Sequence, residues 1–144
     1  MPTKTDLLLD TSAAIALVDP DHEFHAAVRA AVGNAHLGLA GHAQFETFSV
    51  LTRLPAPKRL SAANAAHLIK TEFPGSRFLS PQTQAALLTE LATTGIVGGS
   101  IYDGLVAATA REHSLTLITC DTRARNIYAA LGAPHQLIPS LPHP

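Results

Sequence analysis

Leu7-Leu8-Leu9-Asp10-Thr11-Ser12-Ala13-Ala14-Ile15-Ala16-Leu17 is the stretch that decides the fold. Three apolar residues closed by an acid suit a short buried strand, because a strand covered on both faces reads as an unbroken apolar run. Thr11 and Ser12 are capping residues, and the alanine-rich segment behind them has helical composition until Pro20 breaks it. A buried strand running straight into a helix opens an α/β unit.

The pattern continues downstream. Asp21 to Val32 reads as a second helix, stopped by Gly33-Asn34, and His36 to Ala40 as a short strand closed by Gly41. In the helix expected over His42 to Leu54, Phe45, Phe48 and Leu51 recur at three-residue spacing, which predicts one face turned to the core. Pro55 to Arg59 is a basic, proline-punctuated loop. Ser61 caps a helix running to about Glu72, Arg77 to Leu79 suits a brief strand, and Pro81 opens a helix reaching Thr94. After the glycine turn Gly95 to Gly99, Ser100 to Ser114 is helical. Leu115 to Thr119 is a strand ending at Cys120-Asp121, Arg123 to Leu131 a helix, and Gln136 to Ile138 a last strand before an extended tail, Pro139 to Pro144. Strands alternating with helices predict an α/β domain with a mainly parallel sheet covered on both faces.

With 144 residues the chain fits one domain, residues 1–144, able to bury about two-thirds of the surface its unfolded form exposes. Hydrophobic residues at 47% and charged residues at 15% permit a packed core and argue against disorder. The lone cysteine, Cys120, excludes an internal disulfide and a cysteine-rich zinc site. Nothing resembles a signal peptide or a membrane span, so the chain reads as soluble and intracellular. A net charge of −1 speaks against gripping nucleic acid through bulk electrostatics. Any polyanion would have to be held by local charge or by bound cations.

Four acids stand out. Asp10 and Asp121 each end a strand, where ligands bind in open parallel sheets; either could instead simply cap the following helix. Asp103 has Gly99, Ser100, Val106 and Ala107 as its neighbours one turn away, a small and largely apolar surface with no base among them. An acid enclosed there needs a partner from across the fold or a cation. Glu46 sits beside the expected Phe45–Phe48 stripe rather than opposite it.

Asp10-Thr11-Ser12-Ala13 after an apolar strand, Gln44-Phe45-Glu46, Tyr102-Asp103-Gly104-Leu105-Val106-Ala107-Ala108 and Thr119-Cys120-Asp121 together resemble the PIN-domain signature in order and spacing. The likeness covers nearly the whole chain, and Leu117 to Arg123 is similar to VapC-type toxins. The resemblance implies a three-layer α/β/α fold with a short central sheet, in which Asp10, Glu46, Asp103 and Asp121 form one acidic pocket supported by the hydroxyls of Thr11 and Thr119. It also implies a metal-dependent endoribonuclease, the cytoplasmic toxin of a VapBC-type toxin–antitoxin pair, with a cognate VapB-type antitoxin and a homodimeric state.

Hard oxygen ligands favour Mg²⁺, with Mn²⁺ as a substitute. On this reading Asp10, Asp103 and Asp121 hold metal directly, while Glu46 acts through water or as an aligning base. Lys58, Arg59, Arg123 and Arg125 are candidate RNA contacts. Two other readings compete: a phosphatase using Asp10 as nucleophile, although Ser12 stands where that chemistry favours a second acid, and a catalytically silent interaction module. His22 and His25, three apart, lack the further ligand of a zinc site. The Gly95–Gly99 turn lacks the lysine of a phosphate-binding loop.

Overall fold

A computed structural model describes residues 6–139. The chain order is β1 (Asp6–Leu9), α1 (Thr11–Val18), α2 (His25–Val32), β2 (His36–Leu39), α3 (His42–Thr52), α4 (Ala62–Glu72), α5 (Pro81–Thr94), α6 (Ser100–His113), β3 (Thr116–Thr119), α7 (Thr122–Ala130) and β4 (His135–Leu137). The four strands form one parallel sheet in the order β2-β1-β3-β4, with helices packed in layers on both faces. Beyond residue 139 the expected proline-rich tail lies outside the described residues.

Apolar runs fill the centre as their composition requires. Leu8, Leu9, Leu39, Leu117 and Ile118 are fully enclosed or nearly so, packed beneath Ala13, Ala16, Val28, Ala107 and Ala110. The alanines are what let the helices lie close on so short a sheet. The chain leaves β1 toward β2 on one side and returns as β3 on the other, so the strand order reverses between β1 and β3. That reversal opens a crevice at the carboxyl ends of the two central strands. Leu9 pairs with Ile118, and the Asp10 N–H donates to the Ile118 carbonyl at 3.2 Å, bringing the two strand ends level.

Three local expectations are corrected. The second helix starts at His25, not Asp21. Residues 21–24 instead form turns in which Asp19 Oδ1 accepts from the Asp21 N–H and His22 Nδ1 from the Phe24 N–H, each at 3.0 Å. Arg77 to Leu79 is not a strand but a single parallel bridge, Ala40 to Arg77. The segment runs along the free edge of β2, its Gly75 N–H donating to the Leu37 carbonyl at 2.9 Å, and so covers that edge. Gly38 makes the approach possible, since a side chain there would overlap the Gly75 carbonyl. Finally, α3 buries Ala43, Thr47 and Leu51, a four-residue repeat, and leaves Phe45 66% exposed. The three-residue spacing drifts around a helix of 3.6 residues per turn, so Phe45 and Leu51 do not share a face.

Candidate active site

At the carboxyl ends of β1 and β3 a cavity of about 200 Å³ is lined by Asp10, Thr11, Ser12, Glu46, Asp103, Val106, Asp121 and Tyr128. All four acids singled out in the sequence face it, although they are drawn from four separate segments. Asp10 and Asp121 arrive on the central strands, Glu46 on α3 and Asp103 in the first turn of α6.

Asp10 is buried, with 5% of its surface exposed. Its Oδ1 accepts from the Ser12 hydroxyl at 2.6 Å and from the Ala13 N–H at 3.0 Å, and its Oδ2 from the Tyr128 hydroxyl at 2.8 Å. Burial raises its pKa above the usual carboxylate value, and these donors work in the opposite direction. Oδ2, with one donor, keeps a lone pair for a further partner. Tyr128 is almost wholly enclosed, and burial together with the Asp10 charge raises its pKa, so it stays a donor.

The Ser12 hydroxyl links the two strand ends. Its single hydrogen goes to Asp10, so in the 3.4 Å contact with Thr119 Oγ1 the threonine must donate. Ser12 Oγ also accepts from the Cys120 N–H at 2.9 Å, and Thr119 Oγ1 from the Asp121 N–H at 3.0 Å. One run of hydrogen bonds therefore sets Asp121 relative to Asp10. Asp121 Oδ1 accepts from the N–H groups of Arg123 and Ala124, at 2.9 and 3.3 Å, capping α7. The capping reading is thus correct for both strand-end acids, Asp10 capping α1 likewise. Capping occupies Oδ1 in each case, and among the described residues Oδ2 of Asp121 has no hydrogen-bond partner.

Thr11 lines the cavity, but its hydroxyl turns to α3, 3.5 Å from the Ala43 carbonyl, and accepts from buried Thr47 at 3.4 Å. It fixes the helix that carries Glu46. The His42 and Tyr102 rings, stacked with centroids 4.8 Å apart, tie the start of α3 to α6 just ahead of Asp103. Glu46 itself is exposed and forms the rim.

Asp103 reports the field of the cluster. Its carboxyl is pushed up to about 6, first by burial, then by the charges of Asp121, Asp10 and Glu46, with Arg123 opposing. Such mutual repulsion is what a divalent cation relieves, and the donors are all hard oxygens, so the residues fit Mg²⁺ or Mn²⁺. They do not form a ready-made cage: among the described residues no three His, Cys, Asp or Glu side chains converge tightly enough to hold an ion directly. The open geometry suits an ion that keeps part of its water shell, as Mg²⁺ does.

Sequence reasoning missed Tyr128, and read Ser12 only as a helix cap, a place that Asp10 takes. Tyr128 had a signal: it lies four residues after Ala124 on the face behind Asp121, and a buried tyrosine hydroxyl needs an acceptor. Lys58 and Arg59, considered as RNA contacts, line neither this cavity nor the one beside it. Lys58 pairs with Asp19 at 2.9 Å and Asp21 at 3.4 Å, and Arg59 Nε donates to the Leu54 carbonyl at 2.8 Å. The histidine pair is structural, with His25 Nδ1 2.9 Å from the Ala16 carbonyl. Burial and the Asp10 charge push the Cys120 thiol up to about 11, which works against a thiolate nucleophile there.

A parallel α/β sheet with carboxylates gathered at its switch point defines a class of proteins suited to divalent-cation and phosphate chemistry. Residues 7–130 match the family profile described as the PIN domain. The chain belongs to the PIN-domain family. It is 44% identical over 129 residues to ribonuclease VapC27 of Mycobacterium tuberculosis, covering 90% of this chain and 94% of that protein. Ribonuclease VapC40 of the same species is 38% identical over 132 residues, covering 90% and 96%. Among solved structures, FitAB bound to the IR36 DNA fragment superposes with a TM-score of 0.70 at 22% identity, over 95% of this chain and 98% of that one.

Proposed function

We propose that this chain is a metal-dependent endoribonuclease, the toxin of a VapBC-type pair, acting as a single domain. The observation that carries the reading is the meeting of Asp10, Glu46, Asp103 and Asp121 around one cavity at the sheet's switch point. Its likeness to ribonucleases VapC27 and VapC40 over nine-tenths of the chain supports RNA as substrate. A cognate VapB-type antitoxin, a homodimer and a cytoplasmic setting complete the proposal.

Asp10, Asp103 and Asp121 would hold Mg²⁺, with Mn²⁺ as a substitute. When bound, the ion supplies charge neutralisation at the scissile phosphate and a lowered pKa for an attacking water. Asp10 offers Oδ2 while Ser12 and Tyr128 hold its orientation, and Asp121 offers the oxygen not used in capping. Glu46, exposed on the rim, is placed to accept a proton from the attacking water or to align it. The chain's small net charge then poses no obstacle, because substrate is drawn by the ion and not by a basic surface. A phosphatase with Asp10 as nucleophile is disfavoured, since that carboxylate is buried and committed to three donors.

The test is cleavage of single-stranded RNA with Mg²⁺ and with EDTA, set beside hydrolysis of a phosphomonoester. Metal-dependent RNA cleavage that Asp10→Asn abolishes without loss of folding is expected. Full activity of Asp10→Asn, or activity in EDTA, would refute it.

A further inference from the structure

A second cavity of about 530 Å³ shares two walls with the acidic pocket, Asp103 and Asp121, and is completed by Gly99, Ser100, Arg123, Asn126 and Ile127. Its chemistry differs from its neighbour's. Arg123 is exposed and makes no side-chain hydrogen bond or ion pair among the described residues, in contrast to Lys58, Arg77 and Arg111, all of which are paired. Asn126, one turn further along α7, is exposed and also has no side-chain partner among the described residues. Beyond it Ile127 offers a half-buried apolar wall, and nothing stands within 4 Å of where a side chain on Gly99 would begin.

We infer that this cavity is a nucleotide subsite for the residue next to the scissile phosphate, with Arg123 on the neighbouring phosphate and Asn126 on a base edge. The inference rests on the nuclease reading for the identity of the chain that enters it. A guanidinium presents a planar fork of donors that matches phosphate oxygens, and among the described residues this one is held in no ion pair. The Asn126 amide carries donors and an acceptor in one plane, the complement of a base edge, while Ile127 gives the ribose or base an apolar surface. Because Asp103 and Asp121 form the shared wall, a phosphate held over the acids leaves the adjoining nucleotide in this cavity. Arg123 would thus compensate locally for the missing basic surface, and Asn126 would impose a sequence preference at one flanking position.

Anisotropy of a fluorescent eight-nucleotide single-stranded RNA, measured across salt concentrations with Ca²⁺ in place of Mg²⁺ so that the acids stay neutralised, reads binding apart from cleavage. Arg123→Ala should weaken binding about tenfold, with Arg123→Lys intermediate. It should also flatten the salt dependence by about 0.7 in the log–log slope, the value for one contact to a single strand. Arg29→Ala, which removes an exposed charge outside both cavities, should change little. Asn126→Ala should leave the salt slope alone but relax the base preference at the position flanking the cut, read by sequencing cleavage products made with Mg²⁺. RNA binding by the wild type no tighter than by Arg123→Ala, including no binding by either, overturns the subsite. Mg²⁺-dependent cleavage by a wild type that Arg123→Ala and Asn126→Ala both match also overturns it, while the nuclease reading stands. Weakened binding by Arg123→Ala in a protein that never cleaves RNA supports the subsite and refutes the nuclease reading instead.

Discussion

Asp103→Asn should make the metal-free protein more stable at pH 7.5 while abolishing its response to Mg²⁺. In the folded chain the Asp103 carboxyl titrates at about 6, against 3.8 for a free aspartate side chain, because it is half enclosed among three other acids. A raised acid pKa means the folded state holds the proton more tightly than the unfolded chain does. Below about 3.8 both states are protonated and nothing is lost; as pH rises to about 6 and beyond, stability falls. The gap corresponds to about 3 kcal/mol at full strength. Asp103 is only partly buried and solvent screens its neighbours, so about 1–2 kcal/mol is expected in practice. Asparagine keeps the shape and removes the charge, so the metal-free melting temperature at pH 7.5 should rise by roughly 3–6 °C for a domain of this size. At pH 4 the two proteins should nearly coincide. Scanning calorimetry in EDTA and in 5–10 mM Mg²⁺, about the range that saturates a weak carboxylate site, reads both effects. Mg²⁺ should stabilise the wild type more at pH 7.5 than at pH 5, and Asp103→Asn hardly at all. An Asp103→Asn protein that is less stable in EDTA at pH 7.5, or that gains as much from Mg²⁺ as the wild type, would refute the reasoning.

Tyr128→Phe removes the hydroxyl that donates to Asp10 Oδ2, and should lower Mg²⁺ affinity or RNA cleavage by about 10–100-fold with the fold retained; titration calorimetry checks it, and unchanged affinity and activity would remove Tyr128 from the site. Glu112 accepts from the Ser80 hydroxyl and N–H and from the Thr83 hydroxyl, which hold its carboxyl down to about 2. Its support of the α5 start is complete above about pH 4.5 and is lost as pH falls toward 2, so acid unfolding should be shallower in Glu112→Gln, followed by circular dichroism. Neutralising Lys58 together with Arg59 should leave the salt dependence of RNA binding unchanged, because Lys58 is held by Asp19 and Asp21; a flatter salt slope would show the loop touching RNA.

The parts of the fold written in the sequence are those set by local chemistry. Ser61 caps the helix it precedes, Pro81 opens α5, and the apolar runs before Asp10 and Asp121 are the two central strands. Asp10 and Asp121 were legible for the same reason, since an acid closing a buried strand has to sit at the sheet's carboxyl edge, whereas Glu46 and Asp103, on helices, joined them only through the family resemblance. What local pattern could not give was set by distant packing. Phe45 reads as core from its spacing, yet α3 presents Ala43, Thr47 and Leu51 inward because α1 approaches close enough for Thr11 to meet Thr47. Lys58 reads as a free cation until the turn at residues 19–21 brings two aspartates against it. Tyr128 lies 118 residues from the carboxylate it supports, a separation that no periodicity spans.

The most direct test is a crystal of this protein soaked in Mn²⁺ and measured for anomalous scattering. A peak among the Asp10, Asp103 and Asp121 carboxylates, with Tyr128 still on Asp10, is the expected result. Mn²⁺ bound elsewhere, or none at a concentration that supports RNA cleavage, would contradict it.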